Sequence, residues 1–423
     1  MDKPVTKEYQ VVIYDDETPR AIGWEESLVA LGLPLVIRVP DNGEIQAELN
    51  QLHARRNAAD SNGVPYDSPC ALDNVDVLVV DYDLRFLEDH KGFATGEEIA
   101  YAARLFSKVK IIVVVNHPDI GLNDFDLNLQ RDRNLKADVY IGDAQIANPG
   151  LWRCNPEHEG FLPWYWPVLL EDADHFDQCV NQVSENRKEN ILSYFGLDSD
   201  ETKPSKDMLS FIGMPNNGMT FENVYGEPGD KRTRPFVRPR DLDPLITDPE
   251  RQSRVMAAVL KKWLRRWVVP AQTILTDAPH LAVTMPWGLN DYQNTDLWLE
   301  LPIKGRCDDV AKLSDVFKPV VQEQTFKFVE WVGRATFFAQ KVRGGLEKEG
   351  AALKTFEFIK LPQLLFAEDI SRFLPVADAM EYDLSLDGQA QVRAISKPEY
   401  TPKSGDVRFD RRLVVYVPQS LLA

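Results

Sequence analysis

Two short hydrophobic runs near the start of the chain each end at acidic residues. Residues 11–14 are followed by Asp15 and Asp16, and residues 77–80 are followed by Asp81. Apolar runs that are rich in β-branched residues and bounded by polar segments are typical of strands buried on both faces of a parallel sheet. The pattern therefore predicts that the three carboxylates follow the carboxyl ends of two strands.

Hydrophobic runs and amphipathic segments alternate over the first 150 residues. Such alternation indicates parallel strands that are joined by crossover helices. We predict a doubly wound, flavodoxin-like α/β sheet, with no clear helix after the fifth strand. The polar residues 57–69 are expected to form a surface loop. The predicted strands are residues 9–14, 34–39, 76–81, 109–115 and 138–142, and the predicted helices are residues 22–32, 43–56 and 95–107.

The three acids are candidates for a single cation site. In an open α/β sheet, ligands bind at the carboxyl edge where the strand order reverses, so acids from two strands can meet there. Mg²⁺ fits such a site because it takes oxygen ligands, keeps some of its waters and bridges to phosphate. A carboxylate at this site can also act as a nucleophile. The alternative interpretation is that the acids are solvated starts of loops.

The acidic pair after the first predicted strand and the single Asp after the third resemble the receiver domain of response regulators. The resemblance covers about residues 8–150. It implies that Asp15, Asp16 and Asp81 bind Mg²⁺, with the backbone carbonyl of Asp83 as a further ligand. It also implies that Asp81 accepts a phosphoryl group from a sensor histidine kinase.

Two positions depart from the receiver pattern. Receivers usually carry Lys just beyond the fifth strand, where this chain has Asp143. They also carry Thr or Ser at the end of the fourth strand, where the corresponding residue here is either Val115 or Asn116. An Asn can donate a hydrogen bond to phosphate, whereas a Val cannot. His117 follows, either as a phosphate contact or as a solvated residue at the strand end. These departures predict a weak, altered or absent conformational switch.

The composition is that of a globular protein. The chain has 423 residues, of which 44% are hydrophobic, and this size predicts two or three domains. We find neither a bilayer-spanning run nor a signal peptide, so we expect a cytoplasmic protein with no membrane partner. The cysteines lack CxxC spacing, which predicts free thiols at Cys70, Cys154, Cys179 and Cys307.

The acidic net charge of −18 argues against nucleic-acid binding. Residues 1–150 contain 14 Lys and Arg against 26 Asp and Glu, whereas residues 231–266 contain 11 basic residues against four acids. Residues 251–269 within this basic segment are predicted to form a helix that starts after Asp248 and ends at Pro270. We expect the helix to pack on a core with a solvated basic side. The alternatives are a surface for a partner or nucleic acid, and a pairing with the acidic N-terminal part.

The rest of the chain contains few chemical motifs. We divide the chain into a receiver-like domain at 1–150, an aromatic junction with a helix and linker at 151–206, and a C-terminal α+β module at 207–423. That module has no P-loop, HExxH or GxSxG motif, so no enzyme is predicted. Further predictions are helices at 175–195 and 312–343, strands at 384–395 and 413–417, and short extended or irregular segments at 210–245 and 270–305.

Two classes of function follow from these observations. The first is a phosphorelay protein that is phosphorylated on Asp81, with a histidine kinase and a second receiver or an effector as partners. Within this class, loss of the usual Lys and Thr suits a phosphate sink better than a switch. A sink of this kind resembles the decoy receiver of Detocs-type phage-defence phosphorelays. The second class is a pseudo-receiver that is not phosphorylated and serves as an interaction platform or transcriptional regulator.

Overall fold

The computed structural model describes thirteen segments of the chain. They are residues 7–62, 68–84, 87, 95–116, 137–158, 160–164, 166–212, 218–222, 248–289, 291–306, 320–348, 363–386 and 389–396. Among these residues, no helix combines the length and the apolar character that crossing a membrane requires.

The N-terminal part forms a five-stranded sheet with the strand order β2-β1-β3-β4-β5. All neighbouring strands are parallel. The order confirms the flavodoxin-like α/β sheet that the alternation predicted. Every residue of the central strand β3 is buried, which explains its uninterrupted apolar run. The strands are β1 (Tyr9–Tyr14), β2 (Leu35–Arg38), β3 (Val77–Asp81), β4 (Ile111–Asn116) and β5 (Val139–Gly142).

Three helices connect the first four strands. Helix α1 (Thr18–Val29) starts earlier than predicted, with a proline in its first turn, and α3 (Gly96–Phe106) starts after a Thr95 cap. Helix α2 (Asn42–Asn62) extends beyond its predicted end at residue 56. The surface loop expected from residue 57 is therefore wrong for its first six residues, which contain neither Gly nor Pro.

Two long helices follow the sheet in sequence. Helix α5 (Leu169–Glu185) comes after a short α4 (Pro149–Trp152) and starts earlier than the predicted residue 175. The single helix predicted over 175–195 is wrong, because α5 ends at Glu185 and the side chain of Asn190 caps a separate helix. Short helices α6 (Ile191–Phe195) and α7 (Lys206–Phe211) lead towards α8 (Pro249–Trp263). Asp248 caps α8 as predicted, because its side chain accepts hydrogen bonds from the first backbone amides. The chain then continues as a π-helical turn (Leu264–Val268) and a short final helix, α9 (Val269–Ala271).

The basic side of α8 is buried, so the expected solvated basic side is wrong. The basic side chains instead form salt bridges with acids on α5 and donate hydrogen bonds to backbone carbonyls. Arg254 forms a salt bridge with Asp177 at 3.3 Å and also donates to the Lys108 carbonyl. The buried basic residues are Arg251, Arg254, Lys261, Lys262 and Arg265.

Helices α5 and α8 contact the sheet at its amino-terminal edge. Lys110, just before β4, pairs with Asp177 of α5 at 2.9 Å. Arg266, just after α8, donates to the carbonyl of Asp138, the residue before β5, at 3.1 Å. These contacts lie at the opposite ends of the strands from the three acids. One cluster of buried hydrophobic residues runs from the sheet to Phe373. The domain boundaries at residues 150 and 206 stay predictions.

The C-terminal part mixes helices and strands. The segment 270–305 was predicted as extended or irregular, but it contains the helices α10 (Ala278–Thr284) and α11 (Thr295–Arg306). The prolines suggested irregular structure, yet a proline is also favourable in the first turn of a helix, as in α10. The predicted strand 384–395 consists of two paired strands that flank an Asp-Gly dipeptide, a typical hairpin sequence. The predicted strand 413–417 lies outside the described residues.

Further strands and helices complete this part. Within its described residues, the predicted helical segment 312–343 contains short helices and one strand, β7 (Thr336–Phe338). Two Phe residues of β7, which suit a strand as well as a packed helix, lie where the chain pairs with β6 (Leu275–Asp277). A four-stranded sheet has the order β10-β11-β8-β9. The elements are β6 (Leu275–Asp277), α12 (Val320–Glu323), α13 (Val329–Val332), β7 (Thr336–Phe338), α14 (Ala339–Lys348), β8 (Leu364–Ala367), β9 (Arg372–Pro375), β10 (Ala379–Leu386) and β11 (Gln389–Ser396).

The cysteines only partly match their prediction. Cys70 and Cys179 are free and buried, as expected for reduced thiols. Cys154 is disulfide-bonded, so the prediction of a free thiol is wrong at this position. A disulfide depends on contacts between segments that lie far apart in sequence, and cysteine spacing does not show such contacts. Cys307 lies outside the described residues.

Candidate acidic site at the carboxyl edge of the sheet

Three buried carboxylates meet where β1 and β3 end. The two strands are neighbours, with Tyr14 paired to Val80, so the residues that follow lie side by side. Oxygen atoms of Asp15, Asp16 and Asp81 all lie within 4.8 Å of one another. Since β2 and β3 flank β1 on opposite sides, the cluster lies where the strand order reverses, which is the usual ligand site of such sheets.

Arg20 on helix α1 bridges two of these acids. Its Nε lies 2.6 Å from one oxygen of Asp15, and one terminal nitrogen lies 2.8 Å from the other oxygen. The same terminal nitrogen donates to Asp81 at 2.7 Å. Arg20 was not singled out in the sequence, although its position in the first turn of a helix that closely follows two acids was a usable signal.

The charges at this site do not balance. The guanidinium of Arg20 contacts two of the three carboxylates, and the side chain of Asp81 is only 1% exposed. Burial raises the pKa of Asp81 to about 8, and the negative charges of Asp15, Asp16 and Asp83 act in the same direction. Arg20 acts in the opposite direction but does not cancel them. The site therefore favours any change that adds positive charge or removes negative charge.

A divalent cation fits these side chains. Within the described part of the chain, Oδ1 of Asp81 is buried and has no hydrogen-bond partner. A buried carboxylate oxygen without a partner is costly, and a bound ion removes that cost. The oxygen donors suit a hard cation such as Mg²⁺. Asp15, Asp16 and Asp81 are the residues that would hold it.

The chain just beyond Asp81 is held close to the start of α3. The Gly96 amide donates to the Tyr82 carbonyl at 2.8 Å, and Asp83 forms a bridge with Thr95. A Cβ atom at position 96 would collide with the backbone carbonyl of Asp81. Asp83 is partly exposed and close enough to influence the pKa of Asp81. Its role as a metal ligand stays a prediction.

The end of β4 supplies the neighbour of Asp81. Val115 pairs with Asp81 across the strands and is completely buried, whereas Asn116 pairs with Gly142. The residue directly beside Asp81 on β4 therefore offers no hydrogen-bond donor from its side chain. The side chain of Asn116 and the whole of His117 lie outside the described residues, so their suggested phosphate contacts stay predictions.

Asp143 lies directly beyond β5, where the receiver pattern has Lys. It opens a short 3-10 turn (Asp143–Gln145), and its carboxylate accepts a hydrogen bond from the Ala144 amide at 2.6 Å. The side chain is partly exposed. Position 143 therefore carries a carboxylate, and this carboxylate accepts a hydrogen bond within the turn that it opens.

Comparisons with known proteins give no match. The chain matches no family model, no curated protein and no solved structure. The topology of the sheet and the chemistry of the acidic site therefore carry the functional argument.

Proposed function

We propose that Asp81 is the phosphoacceptor of a phosphorelay protein and that Asp15 and Asp16 bind the divalent cation that assists the transfer. The observation that carries this proposal is the buried acidic cluster at the carboxyl edge between β1 and β3. Its position in a sheet of order 2-1-3-4-5 resembles the receiver domain of response regulators. The donor would be the phosphohistidine of a sensor kinase.

The side chains supply a nucleophile and a place for a cation. In the transfer, an oxygen of the Asp81 carboxylate forms a bond to phosphorus while the P–N bond of the phosphohistidine breaks, and the imidazole nitrogen keeps the electron pair. Mg²⁺, when bound, supplies positive charge at the phosphoryl oxygens. Asp15 and Asp16 hold their carboxylates beside the reacting oxygen, within the distances given above.

Two features favour a phosphate sink over a switch. Val115, next to Asp81, has no hydroxyl that could follow the phosphoryl group. Asp143 places a carboxylate where a receiver has a cation. A protein that accepts phosphate without changing conformation would drain a kinase, as a decoy receiver in a phage-defence phosphorelay would do.

The test is the intact mass of the protein after exposure to acetyl phosphate, with and without Mg²⁺. We expect one phosphoryl group on the wild type only when Mg²⁺ is present, and none on Asp81→Asn. Asp76→Asn is the matched control. It removes a carboxylate at the other end of the same strand, where Asp76 pairs with Lys110 at 3.0 Å, and it should leave labelling unchanged. Equal labelling of Asp81→Asn and wild type would refute the assignment.

The second candidate is a pseudo-receiver that acts as an interaction platform. The observation that favours it is Arg20, which already gives Asp81 a cationic partner. No labelling of the wild type, either by acetyl phosphate with Mg²⁺ or by kinases that label receivers, would favour this candidate. If the wild type is phosphorylated, amide hydrogen exchange distinguishes a phosphate sink from a conformational switch. A sink predicts that phosphorylation leaves the exchange rates of β4 and β5 unchanged.

A further inference from the structure

We propose that Arg20 is a built-in counter-ion that competes with the divalent cation, so that the metal enters the acidic site by displacing the Arg20 guanidinium. The inference rests on the proposed function, because it concerns the cation of the same site. It assigns to one residue of α1 the control of how tightly that site binds metal.

The contacts of Arg20 involve two of the three carboxylates that the metal would need. Its guanidinium takes both oxygens of Asp15 and one oxygen of Asp81. Planar bidentate contacts of this kind are the strongest that a guanidinium makes with a carboxylate. A small divalent ion needs short, direct contacts to the same oxygens. Both cations cannot occupy the space between Asp15 and Asp81.

Charge leads to the same conclusion. Without a metal, Arg20 places positive charge between Asp15 and Asp81 and keeps these two acids from repelling one another further. A bound divalent ion takes over that role and repels the guanidinium at short range. The site thus has two cations that can each offset part of its negative charge but that disfavour each other.

The structure also offers Arg20 a second position. Glu17 lies one helical turn earlier, with its side chain 53% exposed and 3.6 Å from a terminal nitrogen of Arg20. The ring of Trp24 lies one turn later, 5.7 Å from the guanidinium carbon. A guanidinium that leaves the acids can therefore stay close to α1, paired with Glu17 and next to an aromatic ring.

The test is Mg²⁺ binding without any phosphoryl donor, measured by isothermal titration calorimetry and by the rise in melting temperature with Mg²⁺. We expect Arg20→Gln to bind Mg²⁺ about tenfold more tightly than wild type, since the competitor is gone. Arg20→Lys keeps the charge but loses the bidentate contact, so an intermediate affinity is expected. Should Arg20→Gln fail to fold, Arg20→Lys decides the matter.

The matched control is Arg38→Gln. Arg38 ends β2 and pairs with Glu48 at 2.6 Å instead of with the three acids. Its replacement should leave Mg²⁺ affinity unchanged. Equal or weaker affinity in the Arg20 variants would overturn the inference while leaving phosphorylation of Asp81 intact. Absence of Mg²⁺ binding in every variant would overturn the proposed metal site, and this inference with it.

Discussion

Two groups of charged side chains are buried in different parts of the molecule. In one group, Asp172 of α5 lies between two cations, with Lys261 at 3.0 Å and Arg265 at 2.5 Å. At the carboxyl edge, Asp81 lies among other acids and shares Arg20 with Asp15. The neighbouring cations lower the pKa of Asp172 even though its burial acts in the opposite direction, whereas that of Asp81 is raised to about 8.

The difference lies in the surroundings, because both residues are buried aspartates. Asp172 has more positive than negative charge around it, and the resulting ion cluster holds two helices together. Asp81 has more negative than positive charge around it, so its site gains when a cation binds. A buried acid with matched charges is thus a structural element, and a buried acid with unmatched charges is a candidate for binding and chemistry.

The largest expected effect is the loss of the matched cluster. Asp172→Ala leaves Lys261 and Arg265 buried without their carboxylate, which should lower the free energy of unfolding by about 3–5 kcal/mol. Chemical denaturation measures this change. Glu250→Ala breaks the exposed pair with Lys108 and serves as the control, with an expected loss below about 1 kcal/mol. Similar losses in the two variants would break the comparison.

A second matched cluster should respond to acid. Asp277 bonds to His280 at 2.5 Å and faces Arg334 at 3.4 Å, and His280 also contacts Glu368 at 3.0 Å. These neighbours lower the pKa of Asp277 to about 2, despite its burial. Its contribution to stability is therefore present above the pKa of an unfolded Asp, near 4, and is lost as the pH falls towards 2.

Asp277→Asn tests this dependence. At pH 5 the variant should be less stable than wild type by about 2 kcal/mol, since one pKa unit corresponds to about 1.4 kcal/mol. The difference should shrink as the pH approaches 2, where the wild-type carboxyl is protonated as well. Urea denaturation from pH 5 to pH 2 gives both values. A difference that does not depend on pH would mean that Asp277 acts by shape instead of by charge.

The unmatched site should behave in the opposite way. Because the pKa of Asp81 is raised in the folded state, the stability of the wild type falls as the pH rises from about 4 through 8. Asp81→Asn removes that penalty but also weakens the contact with Arg20, so we expect a gain of about 1–2 kcal/mol at pH 9. Thermal unfolding of the wild type and Asp81→Asn at pH 6 and pH 9 measures this gain. A loss of stability at pH 9 would show that the acidic site is matched after all.

The sheet and its acids were predictable because the signals are local. The apolar runs before Asp15 and Asp81 define buried strands, and parallel strands bring their carboxyl ends to one edge. Arg20 was missed because an Arg near the start of a helix is most often solvated, and only the fold brings it back onto Asp81. The extension of α2 was missed because polar residues without Gly or Pro do not mark where a helix ends.

The buried basic face of α8 could not be predicted for a different reason. Its partner Asp172 lies 93 positions before Arg265, and no local pattern links the two residues. His280 likewise contacts a residue from a distant segment of the chain. Its partner Asp277 lies only three positions before it, but its second partner, Glu368, lies 88 positions later. Pairing between distant segments is a property of the fold and not of a local hydrophobic pattern.

Gly96 has a consequence for how this chain can vary. Its contact with the Asp81 carbonyl leaves no room for a side chain, and its amide ties residue 82 to residue 96. In a library of random substitutions selected for folding, we expect position 96 to retain glycine alone. Frequent survivors with alanine at 96 would count against this expectation.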